Sequence, residues 1–244
     1  MSFIPSCDGA RDAIRSLSGI YAVPIDKIDE VLRDSNVLEI AEEYSQINTQ
    51  GFHFVVSNLL KASPRADITY ACYYHSTSYS GNQSWFDEGL LGSSEGVKLF
   101  IEKIIEWVPP EKRLVTKQEI MKIVKTRSEY EGSTVEECGP YAWDTFTAAS
   151  SSGARYWVPE AIQDLWSPSF CGNGALIDLS EIINKRLKPV VVKFKGTISD
   201  INDYCATLWA FLLSDDGEYH LTHTFKGKGR AIPKEDIVAL MDVK

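Results

Sequence analysis

Tyr73-Tyr74-His75-Ser76-Thr77-Ser78, followed shortly by Trp85-Phe86-Asp87-Glu88-Gly89-Leu90-Leu91, is the stretch on which the fold turns. The run leading into it, Ile68-Thr69-Tyr70-Ala71-Cys72-Tyr73-Tyr74, is aromatic and β-branched, which is strand texture. At His75 polar residues take over. The pattern predicts a strand that ends where it meets a polar loop, with His75 at the mouth. A short helical piece then closes on Gly89, a residue suited to helix ends.

Upstream, residues 8–62 read as mainly helical. Pro24-Ile25-Asp26-Lys27-Ile28-Asp29-Glu30-Val31-Leu32 opens with a proline of the first-turn type and sets Ile28, Val31 and Leu32 on one face. Val37 to Ala41 and Phe52 to Leu60 continue in helical style. Ser63-Pro64-Arg65-Ala66-Asp67 breaks the pattern, because proline disfavours helical backbone in the residue before it.

Downstream, Val97 to Trp107 predicts an amphipathic helix stopped by Pro109-Pro110, and a second helix is expected at Lys117 to Lys125. Pro189 to Phe194 reads as a strand. Cys205 to Leu212 and Glu218 to His223 flank Ser214-Asp215-Asp216-Gly217, the signature of a hairpin. The expectation is an α+β fold, mainly antiparallel, with a helical N-terminal region at 1–64 and the remaining domain at 65–244.

The chain has 244 residues, 44% of them hydrophobic, with a net charge of -9. That balance disfavours a broad duplex-binding surface, which needs a basic face. The short run Lys226-Gly227-Lys228-Gly229-Arg230 reads as a basic hairpin loop rather than a phosphate cradle. Five cysteines, odd in number and never spaced CxxC, argue against a disulfide framework and a structural zinc site. No apolar run has the length of a membrane span, and residues 1–10 lack the basic-then-apolar order of a secretory signal. These features predict a soluble, cytoplasmic protein, and they are equally compatible with delivery into a target cell.

Three pieces carry chemistry: His75; Gly139-Pro140-Tyr141-Ala142-Trp143-Asp144 with Tyr156 following; and Glu218 after the turn, with Ile232-Pro233-Lys234-Glu235-Asp236-Ile237 downstream. Taken singly, each has an ordinary reading. His75 is a strand-end histidine satisfied by backbone groups, Tyr141 an aromatic packed on a sheet, and Glu218 a solvated turn residue. Other candidates are weaker. His220 and His223 on one strand point to opposite faces and do not share a metal. Cys72 reads as a small core residue, and Glu160 as a first-turn helix residue held in reserve as a catalytic acid.

The order His, then Gly-x-Tyr-x-x-Asp, then a late Glu opening a strand resembles the His-Tyr-Glu class of ADP-ribosyltransferases, which includes the poly(ADP-ribose) polymerases and their bacterial relatives. About twenty positions between residues 68 and 240 carry the likeness. It implies two packed, mainly antiparallel sheets around an NAD cleft. His75 would hold the adenine-side ribose, and Ser76 or Thr77 would lie near the nicotinamide carboxamide. Tyr141, with Tyr156, would stack on the nicotinamide ring, and Glu218 would bind the nicotinamide-side ribose as the catalytic carboxylate. Departures from the family are Ser76, where the polymerases have glycine, and the wide spacing of Tyr156 from Tyr141.

The implied reaction is transfer of ADP-ribose from NAD to an unknown acceptor macromolecule, with NAD as substrate and no metal. The alternatives are an NAD glycohydrolase toxin and a catalytically silent module of the same fold. The chemistry is coherent on its own terms. Glycosidic cleavage builds an oxocarbenium-like sugar, which a carboxylate stabilises. The absence of a Gly-x-Gly-x-x-Gly run disfavours a Rossmann mode of NAD binding.

Overall fold

The computed structural model describes residues 3–37, 39, 49–130, 138–151, 157–167, 177–214 and 225–243. Helices and strands are mixed, with two antiparallel sheets: one of three strands, the other of two. The chain divides into two compact units. The first holds residues 1–74, 142–152 and 193–225; the second holds 75–141, 153–192 and 226–244. Residues 1–64, expected as a helical region, lie whole within the first unit.

In that unit α1 (Ala10–Tyr21) buries Ala13, Leu17, Ile20 and Tyr21, a helical stripe at three- and four-residue spacing. It ends at Ala22 in the left-handed conformation. Helix α2 (Ile25–Leu32) buries Ile28 and Val31, and Pro24 sits at its N-cap rather than in its first turn. Helix α3 (Thr49–Leu60) covers the predicted stretch from Phe52 to Leu60. Of the expected helical stretch from Val37 to Ala41, Leu38 and residues 40–41 lie outside the described residues.

Strand β1 (Tyr70–Tyr79) is ten residues long, and this corrects the sequence reading of its end. His75 sits inside the strand. Ser76-Thr77-Ser78-Tyr79 continue it because Thr77, Ser78 and Tyr79 are buried and the Ser78 hydroxyl finds an acceptor, donating to the Trp157 carbonyl at 2.6 Å. A buried hydroxyl with a partner costs little in a strand. The strand order is β1-β3-β5, with β3 at Lys188–Thr197 and β5 at Ile237–Asp242. Val190 to Phe194 are buried without alternation, as befits a central strand covered on both faces.

A second correction concerns Cys205 to Leu212. These residues belong to helix α9 (Ile201–Leu213), not to the arm of a hairpin. Asp200 caps it, accepting from the Asn202 amide at 2.7 Å, and Tyr204, Cys205, Leu208 and Trp209 line its buried side. A continuous apolar run fits a buried strand or a buried helix equally well. The cap just upstream and the spacing of the buried residues decide for helix. The other expected arm, Glu218 to His223, lies outside the described residues.

Aromatic packing closes this unit. Tyr73, Phe194 and Phe225 meet with ring centroids 4.8 to 6.1 Å apart, and Gly196 leaves the space, since a Cβ there would lie 2.6 Å from the Phe225 ring. Asp8 ties the N-terminal segment down. It accepts from Tyr74 Oη at 2.6 Å and from Lys193 Nζ at 2.7 and 2.8 Å, while the Cys7 amide donates to Tyr74 Oη at 2.8 Å. Burial first, then the hydrogen bond and charge of Asp8, push the Tyr74 phenol far up, so it serves as a donor and not as a base.

His53 on α3 supplies a pH dependence. Burial lowers its imidazole below the ordinary value of 6.5, against the opposing pull of the Asn202 backbone and the Asp203 and Asp200 carboxylates. Between the folded and unfolded values the unfolded chain binds more protons, so this contribution is complete above 6.5 and is lost as pH falls from there through the lowered folded value. Urea denaturation followed from about pH 8 to about pH 5 is expected to show falling stability, with a smaller slope for His53→Gln. Equal slopes in the two proteins would remove His53 from the explanation.

The second unit has its own core. Helix α4 (Ser93–Ile104) and the 21-residue α5 (Pro110–Tyr130) pack Val97, Phe100, Ile104, Ile120 and Val124 with Ile162, Leu165 and Ile183. Pro110 is the first residue of α5, where its missing N–H costs nothing, so the helix expected at Lys117 is longer than predicted. Helix α7 (Glu160–Gln163) follows the short α6 (Phe146–Ser151) of the first unit, and α8 (Ser180–Arg186) precedes β3. No helix among the described residues is long and apolar enough to cross a membrane.

Candidate functional site

His75, Tyr141 and the loop that begins at Lys226 fall in the second unit. His75 is half-buried, and its Nδ1 lies 2.8 Å from the Tyr141 carbonyl oxygen. A carbonyl only accepts, so Nδ1 carries the proton and donates. In the neutral ring Nε2 is then the acceptor.

Tyr141 is positioned from both sides. Before it, the Gly139–Pro140 peptide is cis, and Gly139 has φ +63°. A Cβ at Gly139 would stand 2.6 Å from Ser93 Oγ, at the start of α4, and the Ser93 amide donates to the Cys138 carbonyl at 2.9 Å. After it, β2 (Tyr141–Ala142) pairs antiparallel with β4 (Phe225–Lys226). The Gly227 amide donates to the Pro140 carbonyl at 2.9 Å, which sets the register and puts Lys226 directly opposite Tyr141. Directly opposed residues project to the same face, so the Tyr141 ring and the Lys226 side chain are neighbours.

The Trp85 to Leu91 segment is also fixed within this unit. Gln83–Phe86 forms a 3₁₀ turn capped by Asn82, whose side chain accepts from the Ser84 amide. Gly89 has φ +76°, and a Cβ there would lie 2.0 Å from the Ile232 carbonyl oxygen. Leu90 and Ile232 exchange backbone hydrogen bonds of 2.9 and 2.8 Å. Gly89 is required by the close approach of Ile232.

Of the expected site residues, His75 and Tyr141 are brought together. Ser76, next to His75 in β1, is half-buried and projects to the opposite face, whereas Thr77, on the face of His75, is 7% exposed. Tyr156 and Glu218 lie outside the described residues, as do His220 and His223. Glu160 is engaged elsewhere. It accepts from Arg127 at 2.7 Å, while Arg127 also binds buried Asp164 at 2.5 Å. That ion pair between α5 and the α7 region makes Glu160 a structural residue at a helix start, as its sequence position suggested. Cys72 is buried, and its thiol is pushed up to about 11 by burial, with Lys193 pulling the other way. It remains a thiol under physiological conditions, in keeping with a core role.

Lys226, the first residue of the run that reads in sequence as a basic hairpin loop, stands opposite Tyr141. Its only local signal is alternation: buried Phe225 then exposed Lys226, matching buried Ala142 and half-buried Tyr141. Among the described residues no group of three or more His, Cys, Asp or Glu side chains is placed to hold a metal ion. Comparison of the chain with protein-family models, with curated proteins and with solved structures finds no match.

Proposed function

We propose that this protein is an NAD-dependent ADP-ribosyltransferase, cleaving the bond between nicotinamide and ribose and passing ADP-ribose to an acceptor macromolecule. The observation that carries the reading is the juxtaposition of His75 and Tyr141, residues far apart in sequence and joined by a 2.8 Å contact to the Tyr141 backbone. In this reading the pair forms one corner of an NAD cleft.

His75 presents Nε2 to a hydroxyl of the adenine-side ribose, with Nδ1 held by the Tyr141 carbonyl. That second contact fixes ring orientation and tautomer, which is what a binding histidine needs. Tyr141 offers a flat face to the nicotinamide ring, and offset stacking adds about 1 kcal/mol beyond the area buried. Ser76 follows His75 directly in the strand and projects to the opposite face, whereas Thr77 shares the face of His75 but is only 7% exposed, so either contact to the carboxamide stays with the resemblance. Glu218 takes the catalytic role through the resemblance in its sequence context. Its carboxylate stabilises positive charge developing on the nicotinamide-side ribose and accepts a hydrogen bond from its hydroxyl.

Cleavage needs no further acid, because nicotinamide departs as a neutral molecule from a cationic pyridinium. Water in place of the acceptor gives NAD hydrolysis by the same machinery. The test is incubation of the purified protein with NAD, following free nicotinamide by chromatography for wild type and Glu218→Gln. Release by wild type and its collapse in the variant are expected. If neither protein releases nicotinamide and NAD does not bind, the reading is wrong.

A further inference from the structure

We propose that Lys226-Gly227-Lys228-Gly229-Arg230 is the pyrophosphate-binding element of the site that contains Tyr141, an assignment that rests on the NAD reading of that site. The sequence alone reads this run as an ordinary basic loop, and the structure gives it a definite shape. The Gly227 amide is bonded to the Pro140 carbonyl at 2.9 Å and the Gly229 amide to the Gly139 carbonyl at 2.6 Å. A Cβ on Gly227 would lie 2.5 Å from Pro140 Cδ, and one on Gly92 would lie 2.9 Å from the Gly229 carbonyl oxygen. Glycine at 227 and at 92 is thus what allows the loop to lie flat against the backbone that delivers Tyr141.

Lys228 has φ +52°, left-handed backbone that a side-chain-bearing residue adopts only when its surroundings impose it. The run therefore has a set backbone turn from which its cations project. Lys226 stands opposite Tyr141 on the shared face, and Lys226, Lys228 and Arg230 are all exposed.

Charge sharpens the case. The chain carries 34 acidic against 25 basic residues; Lys27, Lys103, Lys122, Lys125, Lys193 and Lys234 have carboxylate partners within 4.0 Å, while others such as Lys61, Lys98 and Lys112 are in no ion pair among the described residues. Among the described residues none of Lys226, Lys228 and Arg230 is in an ion pair. Three cations that are in no ion pair among the described residues, next to the proposed nicotinamide platform, match a ligand whose middle carries two phosphate charges. Lysine and arginine bind such oxygens through charge-assisted hydrogen bonds.

The experiment is a calorimetric titration of wild type, of Lys226→Ala/Lys228→Ala/Arg230→Ala combined, and of Lys226→Arg/Lys228→Arg combined. The ligands are NAD and nicotinamide riboside, which has no phosphate, each at low and at high salt. Thermal melts of all three proteins establish that they are folded. The alanine variant is expected to lose at least about tenfold in NAD affinity and to lose most of the salt dependence, with affinity for the riboside unchanged. The arginine variant is expected to stay within a few-fold of wild type for both ligands.

Unchanged NAD affinity and salt dependence in the alanine variant would overturn the assignment, as would equal losses for NAD and riboside. Normal NAD binding with impaired transfer to an acidic acceptor would overturn it too, giving the loop to the acceptor instead. If wild type binds the riboside and NAD equally well, the platform stands and the pyrophosphate assignment fails. If wild type binds neither, the NAD reading itself fails.

Discussion

Glu218→Gln is expected to lower the rate of nicotinamide release from NAD by about three orders of magnitude, on the order of 4 kcal/mol of transition-state stabilisation, with NAD affinity changed only a few-fold. The split follows from where charge appears. In bound NAD the positive charge sits on the nicotinamide ring, and it moves to the ribose only as the glycosidic bond breaks. A carboxylate beside that ribose therefore acts mainly in the transition state, and an amide of the same shape keeps the ground-state hydrogen bond while losing the charge. Loss of binding and rate in equal measure would make Glu218 a binding residue. Unchanged rates would move the catalytic carboxylate elsewhere in the chain.

The second large effect concerns stability. Trp209→Ala is expected to destabilise the first unit by about 3–5 kcal/mol, the range for deleting a fully buried large aromatic. Trp209 on α9 is 0% exposed and meets Tyr21 edge-to-face, with ring centroids 6.3 Å apart. Helix α9 packs against α1 and α3, so the cavity would open where three helices meet. Urea denaturation should show a lower midpoint, whereas Phe211→Ala, on the same helix but only half-buried, should cost much less. Equal costs would mean that Trp209 is not a keystone of that core.

The strands and helices that depend on local pattern were legible in the sequence. Val97 to Trp107 and Phe52 to Leu60 became helices, and Pro189 to Phe194 became the central strand. Two errors have a common cause. His75 was put at the end of its strand because polar residues follow it. Those residues continue the strand because Ser78 has an acceptor in Trp157, a partner distant in sequence. Cys205 to Leu212 resembles a hairpin arm because a turn sequence follows it, while the deciding cap, Asp200, lies upstream of the run. In both places a long-range or flanking contact outweighs local texture.

The site is legible in sequence only in part, for the same physical reason. His75 and Tyr141 stood out as residue types in a recognisable order, yet their contact runs through a backbone carbonyl, which leaves no trace in the side-chain pattern. Lys226 was hidden for a stronger reason. It meets Tyr141 by pairing of two short strands separated by more of the chain than any hairpin rule spans, and the pairing is set by Gly227 and Pro140 rather than by a turn. The net charge disfavours a broad basic surface, and the sequence shows the Lys226–Arg230 run but not its place beside Tyr141.

The corner formed by His75 and Tyr141 is tested most directly by titrating NAD into wild type and His75→Ala under calorimetric detection, with melting curves to show that both proteins are folded. Saturable binding by wild type is expected, weakened about tenfold or more in the variant, since a hydrogen bond to the ribose and the anchor of the Tyr141 carbonyl are lost together. No binding by wild type, or equal affinity in both proteins, would contradict the assignment of this corner to NAD.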